Sequence, residues 1–384
     1  MDAAIALALL NWVIVDADST PLAARPAAGV KPNIYGFSLP ELEEALEALG
    51  EPGYRARQVM RWLYGKRVRA FAAMSDLPAS LRETLEVQYD MSLPQVARAD
   101  VATDGVKKLL LELSDRELIE SVIIPAKDRL TLCVSSQVGC SMGCAFCSTA
   151  RMGLRRNLHA AEMVGEVLAA LGELDHPQEV FTNYVFMGMG EPLANYARLR
   201  RALAVMTAEW GMGISPRRIT VSTVGMAPVM ERLLAETGVN LAVSLIAPTD
   251  AQRDQLAPIN RRFPLAALME SCRRLALKRR QRVTFEYVML KDVNDSEEDA
   301  RKLVKLLGSV RAKVNLIFFN RFEGVAFEPS TRRTVERFQA MLHKGNLTAT
   351  IRESRGRDIA AACGQLRVEG QRGRTDVGLR VAAR

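Results

Sequence analysis

Three closely spaced cysteines are the side chains of this sequence best suited to chemistry. Cys140, Cys144 and Cys147 form the pattern C-x3-C-x2-C in the run VGCSMGCAFCSTA. Three thiolates that converge in one loop can bind iron or zinc, because soft ligands favour these metals. Structural zinc sites normally have four ligands, and no further Cys or His follows closely, which favours an iron–sulfur cluster with one open iron. The alternative is a zinc-bound RNA-binding module without catalysis.

A glycine-rich turn follows about forty residues later, in the run FMGMGEP from Phe186 to Pro192. Glycines at the end of a strand allow a ligand to approach the backbone closely. Glu191 in this run is able to accept a hydrogen bond from an ammonium group. By itself the run is equally typical of a tight turn.

Alternating strand and helix patterns from Lys107 onward would position these two motifs. The predicted strands are Leu130–Ser135, Tyr184–Met187, Ile219–Ser222, Leu241–Ser244, Val283–Met289 and Val314–Phe319. Helical patterns lie between most of them, at His159–Leu174, Tyr196–Glu209, Met226–Leu234, Leu265–Lys278 and Ser296–Leu307. Such alternation indicates parallel strands flanked by helices. Since six strands are too few for an eight-stranded barrel, we predict an α/β fold with a partial (β/α)6 barrel, whose sites lie after the strands.

The N-terminal part has a different pattern, which is helical from Leu39 to about Tyr89. Arginines and lysines on its second helix form a basic face, which either contacts RNA or is simply solvated. We therefore predict four segments. They are an extension and linker at 1–31, a helical RNA-binding domain at 32–95, the barrel with a C-terminal cysteine segment at 96–370, and a basic tail at 371–384.

Composition and charge narrow the class of protein. The 384 residues are 48% hydrophobic, enough for a sizeable core, and the formal net charge of +8 favours an acidic partner such as nucleic acid, although solubility explains it nearly as well. The apolar start from Ala3 to Val15 is shorter than the roughly 20 residues of a membrane span and lacks a basic region before it. We expect a cytoplasmic protein with reduced thiols and no membrane partner.

The motifs together resemble the radical SAM (S-adenosylmethionine) adenine methyltransferases of ribosomal RNA, the RlmN/Cfr family. The similar stretches are TLCVSSQVGC, FCSTARMGLRRNL, FMGMGEPL, PRRITVSTVG, APINRRFP, YVMLKDVND and IRESRGRDIAAACGQL, which span Thr131 to Leu366. FCSTA and GMGEP resemble the RlmN branch, which methylates carbon 2 of adenine, more than the Cfr branch, which methylates carbon 8. Ile246 stands where the family usually has His, which leaves open a paralogue with another RNA adenine or ring position.

The resemblance implies a role for each matching residue. Cys140, Cys144 and Cys147 would bind one [4Fe–4S] cluster, and SAM would serve twice per turnover, as methyl donor and as radical source. Cys363 would carry a methyl group, Cys133 would resolve a covalent protein–RNA adduct by forming a disulfide, and Glu120 would act as general base. The SAM site would contain Gly190, Glu191, Ser222, Ser244, Leu245, Ile246 and Asn320.

The residues alone leave simpler interpretations open for two of these roles. Cys133 could be an inert core thiol, and Glu120 could be a surface carboxylate beside a strand. The chemistry nevertheless agrees with the resemblance, because carbon 2 of adenine is electron-poor and a nucleophilic thiolate can accept a methyl group first. Cys272, within a helical pattern, is interpreted as structural.

The expected partners follow from the same resemblance. They are large-subunit rRNA, tRNA as a second acceptor, and a reducing partner such as flavodoxin, with the enzyme a monomer. A rival class is a radical SAM enzyme that acts on a small molecule or a protein. Candidate phosphate contacts are the basic side chains of Arg151, Arg155, Arg156, Arg217, Arg218, Lys278, Arg279, Arg280 and Arg282.

Overall fold

The N-terminal part of the computed structural model, which describes residues 31–176, 179–279 and 281–368, is helical as expected. The predictions for residues 1–30 and for the tail at 371–384 lie outside the described residues. Three helices form this part, α1 (Leu39–Glu47), α2 (Tyr54–Met60) and α3 (Ala79–Gln88). Glu41 begins α1 by accepting the backbone N–H of Ser38 at 2.9 Å. Leu42 and Leu46 of α1 are fully buried, as the helical periodicity predicted.

One sheet of ten strands forms the centre of the rest of the described chain. Its strands are β1 (Gln95–Val101), β2 (Lys107–Glu112), β3 (Leu118–Ala126), β4 (Arg129–Cys133), β7 (Asn183–Phe186), β8 (Ile219–Thr223), β9 (Asn240–Ser244), β10 (Val283–Met289), β11 (Ala312–Phe318) and β12 (Thr348–Arg352). They are hydrogen-bonded in this order, so that β1 and β12 form the two edges. A separate pair of short strands, β5 (Gln137–Gly139) and β6 (Leu154–Asn157), frames the cysteine loop.

The helices of the barrel connect its parallel strands. They are α4 (Ala160–Gly172), α5 (Tyr196–Thr207), α6 (Ala227–Thr237), α7 (Asp250–Leu256), α8 (Leu265–Arg274), α9 (Glu297–Leu307) and α10 (Arg332–Lys344). Each of the five predicted helical stretches coincides with one of them, although α6 continues beyond the predicted Leu234 to Thr237. Among the described residues, no helix has both the length and the apolar character that crossing a membrane requires.

The predicted partial barrel is confirmed and is larger than expected. All six predicted strands are present as β4 and β7 to β11, and every neighbouring pair among them is parallel. The structure adds a seventh parallel strand, β12, beside β11. It also adds three strands before β4, namely β1, β2 and β3. β1 pairs with β2, β2 with β3 and β3 with β4, each in the antiparallel sense.

The register of the sheet determines which side chains point into the barrel. Tyr287 packs on Phe338 of α10, with ring centroids 5.3 Å apart, so its neighbour Glu286 points to the inner face. Residues paired across adjacent strands share a face, and following the pairs from Glu286 through β9, β8 and β7 leads to Cys133 on β4. Cys133 therefore points into the barrel. Its pairing with Val122 places Glu120, two residues earlier on β3, on the same face.

The chain after β12 spans the gap between the two edges of the sheet. Asp104, in the turn between β1 and β2, accepts the backbone N–H of Gly356 at 3.1 Å. Asp358 in turn accepts the backbone N–H of Thr103 at 2.9 Å. These bonds hold residues 353–368, here named the C-terminal segment, across the open side of the partial barrel. This segment carries Cys363.

Candidate active site

The three clustered cysteines lie in a loop that directly follows β5. Gly139 has a φ of +77°, and a Cβ at this position would lie 1.8 Å from the carbonyl oxygen of Gly153, so only glycine fits. The backbone N–H of Cys140 donates to that same carbonyl at 3.0 Å, and the N–H of Cys147 donates to the carbonyl of Cys144 at 3.2 Å. The loop is thus folded so that its three thiols face one region.

Burial keeps the thiols of Cys140 and Cys144 in this loop protonated until a metal binds. Burial, with a smaller contribution from neighbouring Cys147, raises the pKa of Cys140 to about 12 and that of Cys144 well above its usual value. Iron would displace the thiol protons, because metals bind thiolates. Among the described residues, no three His, Cys, Asp or Glu side chains form a site for a single metal ion. Since a structural zinc ion normally has four ligands, three thiols suit a cluster with one open iron better than a zinc ion.

Glu191 lies beside this loop, at the end of β7. Its carboxylate is 3% exposed and accepts the backbone N–H of Leu193 at 3.0 Å and that of Val224 at 2.8 Å. Burial raises the pKa of Glu191 to about 7. The negative charge of Glu191 also raises the pKa of both Cys140 and Cys144, which shows that this carboxylate faces the cysteine loop. A buried carboxylate here is a suitable acceptor for a ligand's ammonium group.

Gly190 must be glycine for the turn to fold, which gives a first prediction. Its φ is +102°, and a Cβ would lie 2.5 Å from the Cβ of Gln137 and 2.8 Å from the backbone nitrogen of that residue. We expect Gly190→Ala to lower the free energy of unfolding by about 2–4 kcal/mol, through overpacking and backbone strain.

Gly213→Ala is the matched control, since Gly213 also has a positive φ but no atom within 4 Å of the added Cβ. It should cost only about 1 kcal/mol, from the backbone conformation alone. Urea unfolding of both variants measures the difference. Equal losses of stability would show that the close approach to Gln137 is unimportant.

The other predicted SAM residues lie at the ends of β8 and β9 and beyond β11. Ser222 and Ser244 are on the inner face of the sheet, as their register requires. Leu245 and Ile246 are fully buried, and the carbonyl of Leu245 accepts a bond from the buried Arg253 at 3.0 Å. The structure thus brings these four residues to the same end of the barrel as the cysteine loop. Whether they contact SAM stays a prediction.

Ile246, the residue that departs from the family pattern, has an unusual backbone. Its φ is +69°, which is rare for a β-branched residue and costs about 1–3 kcal/mol. Its carbonyl accepts a hydrogen bond from Asn294 at 2.7 Å, and its side chain is fully buried. The substitution therefore replaces a polar ring with an apolar side chain at a tightly held turn.

Asn320 holds the C-terminal segment in place. Its amide nitrogen donates to the carbonyl of Cys363 at 3.1 Å, and its amide oxygen accepts a bond from Arg357 at 3.1 Å. The backbone N–H of Ser148, next to Cys147, donates to the carbonyl of Gly364 at 2.7 Å. Cys363 is therefore fixed directly beside the cysteine loop.

Cys363 lies near enough to the inward-pointing Cys133 for its charge to affect that thiol. The pKa of Cys133 is raised mainly by burial, and the second largest contribution to this rise is the charge of Cys363. Cys363 is exposed to solvent, yet desolvation by the surrounding protein raises its pKa to about 11, so it lies in a recess. The two thiols interact although they are 230 positions apart in the sequence. Cys272, by contrast, is buried in α8, as expected for a structural residue.

Glu120 is buried, so the interpretation as a surface carboxylate is wrong. The residue is 2% exposed, and its carboxylate lies 3.1 Å from the ammonium nitrogen of Lys108 on β2. The other carboxylate oxygen accepts the backbone N–H of Arg367 at 2.8 Å. Burial raises the pKa of Glu120, and Lys108 opposes that rise. Sequence reasoning missed Lys108, whose signal is a charged residue at an inward position of an apolar strand.

The predicted phosphate contacts after the cysteine loop are engaged within the protein. Arg151 donates to the carbonyls of Glu323 and Gly324, at 3.0 and 2.7 Å. Arg155 pairs with Glu117 at 2.7 Å, and Arg156 bridges two carboxylates. Carboxylates therefore compensate the charges of Arg155 and Arg156, whereas Arg151 bonds to neutral carbonyl groups.

The remaining predicted phosphate contacts precede their strands, at the end of the sheet opposite the cysteine loop, and their role in binding RNA stays a prediction. Arg217 and Arg218 precede β8, and the basic run at 278–282, whose Arg280 lies outside the described residues, precedes β10. In a parallel sheet the starts of the strands lie opposite the ends that carry the cysteines. The clustering of positive charge along the sequence could not reveal at which end of the strands these residues lie.

Comparisons with known proteins agree with this geometry. Residues 134–304 match the Radical SAM superfamily, and residues 32–90 match the ribosomal RNA large subunit methyltransferase N-terminal domain. The chain is 45% identical over 334 residues to the dual-specificity RNA methyltransferase RlmN of Syntrophus aciditrophicus, covering 87% of this chain and 96% of that protein. The chain belongs to the RlmN family of radical SAM methyltransferases.

Further relatives support the same assignment. The RlmN protein of Anaeromyxobacter dehalogenans is 49% identical over 345 residues, which are 88% of this chain and 92% of that protein. A crystal structure of a radical SAM methyltransferase from Sphaerobacter thermophilus is 43% identical, with a TM-score of 0.83 over 88% of this chain and 99% of that chain. The predicted fold class and the prediction of a radical SAM RNA methyltransferase are confirmed.

Proposed function

We propose that this enzyme methylates carbon 2 of an adenine in large-subunit rRNA, and of an adenine in tRNA. The observation that carries this proposal is the position of Cys363, held beside the cysteine loop by Asn320 and in electrostatic contact with Cys133. The similar proteins of Syntrophus and Anaeromyxobacter are named dual-specificity RNA methyltransferases, which supports two RNA substrates. We further propose that the enzyme works in the cytoplasm as a monomer, with a flavodoxin-type reductant.

The proposed cofactors are one [4Fe–4S] cluster held by Cys140, Cys144 and Cys147, and two SAM molecules per turnover. Bound together, they supply a methyl group and the one-electron chemistry that an electron-poor ring carbon requires. The protein's task is then to hold the ligands and the acceptor. Gly190 and Glu191, with Ser222, Ser244, Leu245, Ile246 and Asn320, would orient SAM beside the cluster.

Two cysteines carry the covalent part of the proposal. Cys363 loses its thiol proton and accepts a methyl group, and loss of one hydrogen atom from that group lets the remaining methylene link this sulfur to the adenine. The thiolate of Cys133 then attacks the sulfur of Cys363, so that a disulfide forms and the bond between sulfur and carbon breaks. The electron pair of the broken bond stays with the carbon, which takes up a proton to complete the new methyl group. The inward direction of Cys133 and its nearness to Cys363 support a direct reaction between the two sulfurs.

Glu120 is proposed to remove the ring proton as the adduct breaks down. It lies on the inner face of β3, and its carboxylate bonds to the N–H of Arg367, four residues beyond Cys363. A general base must lie within reach of the proton that it removes. The base and the methyl carrier are therefore linked through one short segment.

The N-terminal helices are proposed to bind the RNA. Tyr54 is 54% exposed beside the guanidinium of Arg55, and Trp210 of the barrel is 42% exposed beside that of Arg57. Exposed aromatic rings next to arginines are typical of surfaces that stack on unpaired bases. The target adenine must also leave its stack to reach Cys363.

Methylation of Cys363 should be detectable before RNA is added. We expect peptide mapping of the cluster-containing enzyme, incubated with SAM, to find a single methyl group on Cys363 and none on Cys272. The Cys363→Ala variant should methylate no RNA, a loss of at least about 100-fold, typical for removal of a catalytic group. RNA methylation by that variant would refute the role of Cys363.

A reconstituted assay tests the ring position. Purified enzyme, a reductant and SAM are incubated with transcripts of large-subunit rRNA or tRNA, and the nucleosides are identified by mass spectrometry against standards. The proposal expects 2-methyladenosine from both RNAs. Formation of 8-methyladenosine, or a product in neither RNA, would instead indicate the paralogue that the change at Ile246 leaves open.

A further inference from the structure

Lys108 and Glu120 form a buried ion pair on the inner face of the sheet. The ammonium nitrogen of Lys108 lies 3.1 Å from a carboxylate oxygen of Glu120, and their side chains are 8% and 2% exposed. Lys108 pairs in register with Val122, which pairs in turn with Cys133. The lysine therefore stands in the same row of inward side chains as the thiol proposed to resolve the adduct.

We infer that Lys108 is a positioning residue, which keeps Glu120 ionised and aimed into the barrel so that Glu120 can accept a proton. This inference rests on the proposed function and extends it to a residue that no motif identifies. A carboxylate buried in protein tends to become protonated, and a protonated carboxyl group cannot act as a base. An opposite charge in direct contact counteracts that tendency.

The surroundings of Glu120 leave this task mainly to Lys108. Burial raises the pKa of Glu120, and the contributions that lower it are led by Lys108, followed by the backbone N–H of Arg367 and the charge of Arg98 on β1. Arg98 is 59% exposed and pairs with Asp100 at 3.0 Å, so solvent and its partner weaken its influence.

The neighbouring lysine provides a matched control. Lys107 is adjacent on β2 but points to the opposite face, where its ammonium group donates to the carbonyl of Glu173 at 2.7 Å. Lys107→Met therefore removes a lysine from the same strand without touching Glu120. It should leave cluster content, methylation of Cys363 and the pH profile unchanged.

The test is the pH dependence of a single turnover of RNA methylation, started with cluster-containing enzyme that already carries methyl-Cys363. Removing Lys108 raises the pKa of Glu120, and the base is active only above that pKa. We expect Lys108→Met to move the acidic limb of the rate profile to higher pH by about 1–3 units, while Cys363 is still methylated. Lys108→Arg retains the charge and should keep the limb near its wild-type position.

The Glu120→Gln variant separates the inference from the function on which it rests. If Glu120→Gln methylates RNA normally, the base role of Glu120 fails. If Glu120→Gln does not methylate RNA but Lys108→Met shows the acidic limb of its rate profile at the wild-type pH, only the inference about Lys108 fails. The Glu120→Gln/Lys108→Met double variant should be no slower than Glu120→Gln alone, and an additive loss would contradict a shared role.

Folding defects do not remove the test. Lys108→Met leaves the carboxylate of Glu120 buried without a partner, and the variant protein is then at risk of misfolding and losing its iron. In that case the test uses Lys108→Arg and the double variant, because neither leaves a buried charge without a partner. A Lys108→Arg enzyme that folds, carries methyl-Cys363 and keeps the limb supports the inference. Loss of methylation at every pH in that variant overturns it.

Discussion

Cys133→Ala enzyme is expected to stop with RNA covalently attached to Cys363. Cys133 points into the barrel and lies near Cys363, so the substitution removes the thiol that is proposed to attack the adduct. Methylation of Cys363 and the formation of the adduct need only the cluster, SAM and Cys363, and should proceed. Multiple turnover should fall by at least about 100-fold, the usual effect of losing a catalytic group.

Denaturing gels of the reaction measure this outcome. A slower band that resists denaturant and disappears with ribonuclease should accumulate in Cys133→Ala. It should be absent from Cys363→Ala and from the double variant, which lack the carrier. Cys272→Ala, which removes a buried thiol from α8, is the matched control and should turn over normally. Normal turnover by Cys133→Ala without a crosslink would show that this thiol is not needed.

Replacing Cys140, Cys144 and Cys147 together with alanine is expected to abolish iron binding. The three thiols are the soft ligands of one loop, and thiolates of this kind hold iron–sulfur clusters. Anaerobically reconstituted wild-type protein should be brown and contain iron and sulfide. The triple variant should be colourless and should leave Cys363 unmethylated.

The control for this loss is again Cys272→Ala, which should keep the wild-type content of iron and sulfide. Circular dichroism should show the same secondary structure in all three proteins, so that iron loss is not a consequence of unfolding. Full iron content in the triple variant would refute the cluster assignment. Stoichiometric zinc in the wild-type protein, without sulfide, would favour the metal-bound RNA-binding module instead.

The sequence predicted the parallel part of the sheet well, because buried parallel strands are short apolar runs between helical patterns. It missed β2 and β3 although both contain buried apolar runs, and it missed β1 and β12 for a physical reason. In β1 (Gln95–Val101) only two residues are even half-buried, so no apolar alternation marks the strand. In β12 (Thr348–Arg352) a single residue is buried, and its position depends on pairing with β11.

The site was predictable where a motif carried it and not where tertiary contacts did. The spacing of Cys140, Cys144 and Cys147 identified the loop, whereas strand alternation alone left the direction of Cys133 undecided. The register with Val122 and Val185 resolved that direction. The path of the C-terminal segment depends on hydrogen bonds to residues some 250 positions away, such as Asp104 with Gly356, which no local pattern encodes.

The most direct test of the account is the methylated adenosine content of cellular RNA. Nucleosides from large-subunit rRNA and from tRNA are compared by mass spectrometry between cells with and without this gene. The account predicts that 2-methyladenosine disappears from both RNAs without the gene and returns with the wild-type enzyme, but not with Cys363→Ala. Unchanged 2-methyladenosine in the cells without the gene, or its return with Cys363→Ala, would contradict it.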